Sequence, residues 1–248
     1  DWYRGQGFRT AGFIHIKNYV SIGVEYNQIN QSTMNNVLEG EKFDNHKSYK
    51  IMPGNNDHLK YIASMGYPID IEVRNKLQFY LSFISSQSLE NGDYTYMKDH
   101  LFLNLLAPYT SDLNFNIKLL AGASNVPYST WNTEGYHQHI FEIGGKGTLR
   151  GYDWKQFYSS HYFLSTLEIW FDEFGLFYDR ALMFESPGNL FGSEYFNDLS
   201  ENISGDVVKQ SIGISIGDED ATLSFVRTLD DKQNTIIYLT FGEPLPYW

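Results

Sequence analysis

The sequence predicts an all-β protein, and more specifically an antiparallel β-barrel whose strands cross a membrane. Three observations support this fold class: hydrophobicity that alternates with a period of two, unusually long segments, and connections that alternate between short and long. The 248 residues are enough for one such unit. Aromatic side chains make up 17% of the chain and charged ones only 19%, whereas soluble domains average about 25% charged residues. The mean hydropathy is nevertheless negative, at −0.38.

Apolar and polar residues alternate one by one in most of the segments. In one of them the alternation runs through Lys76, Leu77, Gln78, Phe79, Tyr80, Leu81, Ser82 and Phe83. Successive side chains of a strand point to opposite faces, so this pattern gives the strand one apolar and one wet face. The same alternation returns in residues 19–27 and 235–241. Helical periodicity is hard to find anywhere in the chain, which favours the all-β class.

The alternation defines eleven strand segments. They are residues 8–16, 19–30, 59–68, 72–87, 94–108, 114–125, 161–171, 175–185, 206–217, 221–229 and 235–244. Most have about 10 residues or more, the length that a tilted strand needs to cross a bilayer, whereas strands of globular proteins average about 5–6 residues. The excess length indicates a membrane protein.

The connections between these segments alternate between short and long. Short turns lie near residues 17–18, 70, 110–113, 172–174 and 218–220, and longer polar loops near 31–58, 88–93, 126–160, 186–205 and 230–234. This is typical of transmembrane β-barrels, whereas a soluble β-sandwich or a small ligand-binding barrel, the alternative, has no reason to alternate them. In a membrane barrel the apolar face contacts lipid. Aromatic side chains at the strand ends would then form an interfacial girdle, namely Tyr67, Tyr109, Tyr128, Trp131 and Trp170.

The composition excludes several classes of function. The chain has 30 acidic against 18 basic side chains and no cysteine, which argues against nucleic-acid binding, disulfides and thiolate sites. His137 and His139 have the spacing of two metal ligands, but such a pair at the base of a loop is more often plain surface. Ser159, Ser160 and His161 are adjacent in a strand and point to opposite faces, so they do not build a catalytic triad. We expect no enzymatic activity, no metal and no cofactor.

One glycine-rich segment lies in the long loop between the sixth and seventh strands. It reads Ile143, Gly144, Gly145, Lys146, Gly147, Thr148, Leu149, Arg150, Gly151 and Tyr152. On the next two strands, Glu168 and Asp179 fall on the phase that faces the interior of a barrel. Buried carboxylates are costly without a cation, and an arginine offers a planar fork of donors to both. The glycines allow the loop to turn sharply and approach the barrel wall.

This segment resembles the hydrophobic-Arg-Gly-aromatic signature in the sixth extracellular loop of the BamA-type barrels. These form the Omp-eighty-five superfamily, or bacterial surface antigen family, of outer-membrane insertases and two-partner-secretion transporters. Glu168 is similar to the acidic residue on the strand after that loop, and Phe177 and Asp179 are similar to the Phe-x-Asp-x-Gly motif of the next strand, with Ala181 in place of glycine. The resemblance implies that Arg150 enters the lumen and binds both acidic residues.

The resemblance covers about residues 72–245 and implies a barrel in the outer membrane of a Gram-negative bacterium. Because the family barrel has sixteen strands, residues 1–248 are expected to form either a compact barrel of twelve strands or the C-terminal part of a larger one, without a POTRA domain. The implied function is assembly or translocation of outer-membrane or secreted proteins through a lateral seam. The implied partners are outer-membrane lipid, an unfolded client protein and other subunits of an assembly complex. A passive pore or a scaffold subunit is the alternative.

Overall fold

The structure is a computed structural model, and most of it is built by antiparallel pairing between strands that are neighbours along the chain. It describes residues 3–16, 20–33, 54–71, 75–88, 96–108, 112–126, 140–201, 208–217, 221–230 and 233–241. The strands are β1 (Tyr3–Ile16), β2 (Val20–Thr33), β3 (Gly54–Ile71), β4 (Asn75–Ser88), β5 (Met97–Pro108), β6 (Leu113–Ser124), β7 (Phe141–Ile143), β8 (Phe157–Ser159), β9 (His161–Phe171), β10 (Phe174–Phe184), β11 (Val208–Gly217), β12 (Ala221–Thr228) and β13 (Thr235–Phe241). A helix, α1 (Ser193–Glu201), lies between β10 and β11.

Eleven strands form one sheet in the order β1-β2-β3-β4-β5-β6-β9-β10-β11-β12-β13, and β7 pairs with β8 in a separate hairpin. The predicted all-β, antiparallel class is therefore confirmed, and each of the eleven predicted segments overlaps one strand of this sheet within the described residues. The strands of the eleven-stranded sheet have between 7 residues, in β13, and 18, in β3, as described. Within the described ranges, no pairing joins β1 to β13.

The two faces of the sheet differ in chemistry, as the alternation predicts. In β11, Ser211, Gly213 and Ser215 are buried on the inner face, which we define as the face that carries residues 144–156. Ile212 and Ile214 are exposed on the outer face. Small inward residues and large outward ones leave room inside the sheet for a loop and expose an apolar surface outside.

Trp170 does not belong to an outward aromatic girdle. It pairs with Gly175 and lies on the same phase of β9 as Glu168, which is the inner face. A Cβ added at Gly175 would lie only 2.8 Å from the indole ring. The exposed aromatics at this turn are Phe171 and Phe174. The predicted girdle residues Tyr109, Tyr128 and Trp131 lie outside the described residues, as does the side chain of Tyr67.

Two predicted loops contain secondary structure that the sequence did not indicate. The loop at 126–160 holds the β7–β8 hairpin, whose strands have 3 residues each, too few for a period to be read. The loop at 186–205 holds α1, a short helix whose period the sequence analysis did not detect. Its period is hidden because Tyr195 is the one buried residue among its 9. No helix in the described segments has the length and apolar character needed to span a membrane.

Two apolar clusters pack on opposite faces of the sheet. The inner cluster joins the hairpin to the wall and contains Leu120, Phe141, Ile143, Leu149, Tyr152, Tyr162, Leu164, Ala181 and Met183. The outer cluster joins the segment after β10 to the sheet and contains Ala121, Ala123, Phe184, Leu190 and Tyr195. Adjacent residues of β6, such as Leu120 and Ala121, belong to different clusters because their side chains point to opposite faces.

Gly122→Val tests the packing of the hairpin against the inner face. A Cβ at Gly122 would lie 2.3 Å from the Tyr162 ring and 2.6 Å from the Phe141 ring, and both rings are buried. We expect the free energy of unfolding in detergent to fall by about 1–3 kcal/mol. Ile117→Val, on the exposed face of the same strand, is the control and should change little. Equal unfolding midpoints for the two variants would contradict this packing.

Candidate functional site

The inner loop, residues 144–156, connects β7 to β8 and reaches across the inner face of the sheet. Gly144 and Gly145 have φ angles of +124° and +88°, a region that L side chains rarely adopt. A Cβ at Gly144 would lie 2.4 Å from the Asp153 carbonyl oxygen, so the two arms of the loop approach too closely for another residue. The Gly144 N–H donates to Thr148 Oγ1 at 2.9 Å, which closes the first turn.

The side chain of Arg150 binds two carboxylates at once. Its Nε and Nη2 donate to the two oxygens of Asp179, both at 2.7 Å, and its Nη1 donates to Glu168 Oε1 at 2.8 Å. The bidentate geometry toward Asp179 is the arrangement for which a guanidinium is suited and a lysine is not. The guanidinium carbon also lies 3.4 Å from the ring centroid of Phe177, a close cation–π contact.

Both carboxylates also accept hydrogen bonds from other side chains. Thr166 Oγ1 donates to Asp179 Oδ1 at 2.8 Å. Asn116 Nδ2 donates to Glu168 Oε2 at 2.9 Å, and Lys118 Nζ lies 3.5 Å from the same oxygen. The two negative charges therefore face two positive ones, which is the condition under which buried charges are tolerated.

The charge of Arg150 is fixed by its surroundings. Its side chain is 14% exposed. Burial would lower the pKa of the guanidinium, but the carboxylates of Asp179 and Glu168 outweigh this effect and raise the pKa above its usual value. The neighbouring Lys146 behaves differently, because burial, followed by repulsion from Arg150 and Lys118, lowers its pKa. Arg150 thus stays protonated and serves as a charged anchor for the loop.

Hydrogen bonds to the C-terminal strands hold the residues that follow. The Gly151 N–H donates to the hydroxyl of Tyr238 in β13 at 3.1 Å, and that hydroxyl donates to the Tyr152 carbonyl at 3.3 Å. The Tyr152 hydroxyl accepts the N–H of Gln210 in β11 at 3.2 Å and lies 3.0 Å from its carbonyl oxygen and 3.2 Å from Asp230. Burial and the charge of Asp230 raise the pKa of Tyr152, so its hydroxyl keeps its proton.

Apolar burial and close backbone approach complete the site. Leu149 and Ala181 are both fully buried in the inner cluster, so the alanine at this position is accommodated together with the loop. Gly151 has a φ of +88°, and a Cβ there would lie within 3.2 Å of Val226, Ser211 and Thr228. Only glycine fits between the loop and the wall at that position.

The structure brings the residues singled out in the sequence into one place: Gly144, Gly145, Leu149, Arg150, Gly151, Tyr152, Glu168, Phe177 and Asp179 all belong to the inner loop or to the wall beneath it. Sequence reasoning missed Asn116, Lys118 and Tyr238. The small inward residues of β11 were a usable signal that this part of the inner face holds other groups of the site. The ring of Phe177 lies over Gly213, where a Cβ would be 2.3 Å from the ring. Nothing in the sequence distinguishes Tyr238 from the 18 other tyrosines.

Ser160 and His161 do not form a reactive site. Ser160 Oγ lies 2.9 Å from His161 Nδ1, but Nε2 donates to the Gly188 carbonyl at 2.9 Å, and both residues are fully buried. A substrate therefore has no access to this pair. His137 and His139 lie outside the described residues, and so does the acidic turn 218–220. Among the residues that are described, no group of three His, Asp or Glu side chains is arranged to hold a metal ion.

Comparison with known proteins supports the fold and gives no closer relationship. No protein-family model matches the sequence. No curated protein matches it either. Among solved structures, the chain is similar to BamA from Haemophilus ducreyi lacking POTRA domains 1–3, with a TM-score of 0.59 and 13% sequence identity. The match covers 96% of this chain and 55% of the BamA chain, so this chain spans about half the length of that protein. At this identity the likeness shows a BamA-like barrel fold.

Arg150→Ala tests how strongly the ion pairs hold the inner loop. The substitution leaves the carboxylates of Glu168 and Asp179 buried, and among the described residues the remaining ion pair is that of Lys118 with Glu168, so the free energy of unfolding should fall by about 3–5 kcal/mol. Arg150→Lys keeps the charge but loses the bidentate fork, and should fall between alanine and wild type. The measurement is the temperature at which the folded band disappears in a gel-shift assay.

Arg227→Ala is the matched control, because Arg227 is exposed and, within the described part of the chain, its side chain hydrogen-bonds only to that of Gln233. A change within about 0.5 kcal/mol is expected. If the Arg150→Ala and Arg227→Ala proteins melted together, the ion pairs would contribute nothing to stability.

Tyr238→Phe tests the second anchor of the loop. It removes the hydroxyl that bridges Gly151 N and the Tyr152 carbonyl, and leaves a buried N–H without its acceptor, so a loss of about 1–3 kcal/mol is expected. Tyr178→Phe is the control, since the Tyr178 hydroxyl makes no hydrogen bond to the described part of the chain. The contrary result is a loss of the same size in both variants, measured by urea unfolding in detergent.

Proposed function

We propose that this chain is an outer-membrane β-barrel that assists the assembly or translocation of outer-membrane or secreted proteins, without covalent chemistry. Its partners would be outer-membrane lipid, an unfolded client and other subunits of an assembly complex. The observation that carries the proposal is the Arg150 site inside a BamA-like barrel, because one loop there joins four strands of the same wall. The likeness to BamA extends to the fold, and the activity is our inference.

The outer face of the sheet supports a membrane location. Its exposed side chains are apolar over many strands: Phe8, Ile14, Ile22, Val24, Tyr61, Met65, Ile117, Leu167, Leu176, Ile212, Ile214, Ile216, Phe225, Ile237 and Leu239. Soluble monomers rarely expose contiguous apolar patches of more than a few hundred Å². Lipid is the solvent in which such a surface is stable.

The ends of the sheet support a lateral seam. β1 and β13 are the first and last strands in the pairing order. β1 has 14 residues and β13 has 7, so as described β13 can pair with at most half of β1. Unpaired strand edges offer rows of N–H and C=O groups to another chain, and a client strand would add to such an edge by β-augmentation.

The inner loop would stiffen the wall beside this seam. Arg150 binds Glu168 of β9 and Asp179 of β10, while the next two residues bind Gln210 of β11 and Tyr238 of β13. A single segment thereby links β9 to β13, which the described pairing order joins only through the three strands between them. With this wall held rigid, movement would concentrate at the β1 edge, where a client is received.

Client folding in reconstituted vesicles tests the activity. Vesicles with the wild-type protein should fold an added unfolded barrel several-fold faster than empty vesicles, followed by its gel shift. Arg150→Ala should lower this rate, because the wall next to the seam loses its cross-link. Arg227→Ala should retain the wild-type rate. A wild-type protein that performs no better than empty vesicles would exclude the insertase activity.

A passive pore is the second candidate, and the inner face of the first strands favours it. Arg9 and Asn27 hydrogen-bond to the buried Glu25 at 2.5 and 2.6 Å, and the positive charge of Lys60 lies near it. A charged inner lining is compatible with water and ions. Steady current across a planar bilayer, together with no acceleration of client folding, would favour the pore over the insertase.

A further inference from the structure

The chain that follows β10 folds back over the outer face of the sheet. Tyr195 of α1 is 1% exposed and belongs to the outer cluster with Ala121, Ala123 and Phe184. Leu199, one helical turn later, packs against the same cluster. Below them lie Phe83, Leu101 and Phe163, which the strand register places in one row with Ala121. Residues 185–201, the docked segment, therefore cover the surface of several strands near one end.

Buried polar contacts fix the docked segment in place. The Tyr195 hydroxyl donates to the Tyr162 carbonyl at 2.7 Å. His161 Nε2 donates to the Gly188 carbonyl at 2.9 Å, and because a carbonyl only accepts, Nδ1 is left to accept from Ser160 Oγ. A Cβ at Gly188 would lie 2.9 Å from Tyr195 N, so the segment is tightly folded. These contacts hold the docked segment at one position on the sheet.

Two large aromatic side chains of the docked segment are left uncovered. Phe191 is 63% exposed although its ring lies 5.4 Å from that of Phe83 on the outer face of β4. Phe196 is 54% exposed, with its ring 5.5 Å from Tyr195. Because Phe83 belongs to the apolar outer face, Phe191 continues that surface outward.

The acidic residues of α1 lie on the flank opposite Phe196. Tyr195 and Leu199 direct one side of the helix to the sheet. A helix turns by about 100° per residue, which puts Phe196 on one flank and Glu194, Asp198 and Glu201 on the other. The last turn carries no basic residue, so attraction to lipid phosphate does not explain the arrangement. An exposed aromatic side chain on one flank and a charged opposite flank fit a helix that lies in a membrane interface with its apolar side toward the lipid.

We propose that the docked segment is an interfacial anchor whose ligand is the lipid of the adjoining leaflet. Phe191 and Phe196 insert into the boundary between headgroups and acyl chains, while the acidic flank faces water. At this part of the rim the lipid meets α1 instead of the sheet. This inference rests on the proposed membrane location and goes beyond it by assigning a lipid contact to a loop.

Spin labels test the anchor directly, because the chain has no cysteine and each new one is labelled alone. The single variants are Phe191→Cys, Phe196→Cys, Glu194→Cys on the acidic flank, and Ile214→Cys on the exposed face of β11. Each full-length protein is labelled with a nitroxide and reconstituted into phosphatidylcholine vesicles. Collision with oxygen, which partitions into lipid, is compared with collision with a water-soluble nickel chelate.

The labels at positions 191, 196 and 214 should collide more with oxygen, and the label at 194 more with nickel. Adding phosphatidylglycerol should leave this order unchanged, because no basic group is involved. Water-like labels at 191 and 196 beside a lipid-like label at 214 would overturn the anchor and leave the membrane barrel standing. A water-like label at 214 would overturn the membrane location as well. Labels at 191 and 196 that reach neither reagent would overturn the anchor in favour of a protein partner.

Discussion

The charge balance around Arg150 is the constraint on which the inner side of the structure depends. Two carboxylates on adjacent strands would repel each other and lose hydration if they stood alone, and their burial is tolerated only with a cation in contact. That cation comes from a loop 18 residues before Glu168 and 29 before Asp179. The strands therefore require the loop for their charges, and the loop requires the strands for its conformation, since its glycines give it little order of their own.

Sequence reasoning located the C-terminal strands well because their outer faces are consistently apolar. β9 was predicted at its observed bounds, and β10 to within one residue. β1 and β3 extend further than predicted because their added residues, such as Arg4 to Gly7 and Asn55 to Asp57, are polar or glycine and show no alternation in the sequence. Pairing along the backbone continues where side-chain alternation stops, and alternation was the only signal that the prediction used.

Sequence reasoning could find the strand residues of the candidate site because the two-residue period of a strand determines which face each side chain points to. Period two placed Glu168 and Asp179 on the inner face and charge made Arg150 their candidate partner, while the resemblance to the BamA-type loop implied that Arg150 enters the lumen. Tyr238 is 87 residues from Gly151, and its contact depends on the curvature and register of β11 to β13, which no local pattern encodes. The docked helix was missed for a related reason. Its stability comes from the sheet below Tyr195 and Leu199, because 9 residues are too few to form a helix alone.

The sequence separation of the contacts made by the inner loop gives the site an order of assembly. Closing a chain segment costs more entropy as the segment lengthens, and distant pairings form more slowly. The contacts of Arg150 with β9 and β10 join residues 18 and 29 positions apart, whereas the contact of Gly151 with Tyr238 of β13 joins residues 87 positions apart. Folding would therefore proceed from a hairpin neutralised by its own loop toward the last strand, whose tyrosine closes over a loop already seated. The C-terminal wall of the barrel would therefore assemble around the inner loop, and the edge strand β13 would be the last to bind that loop.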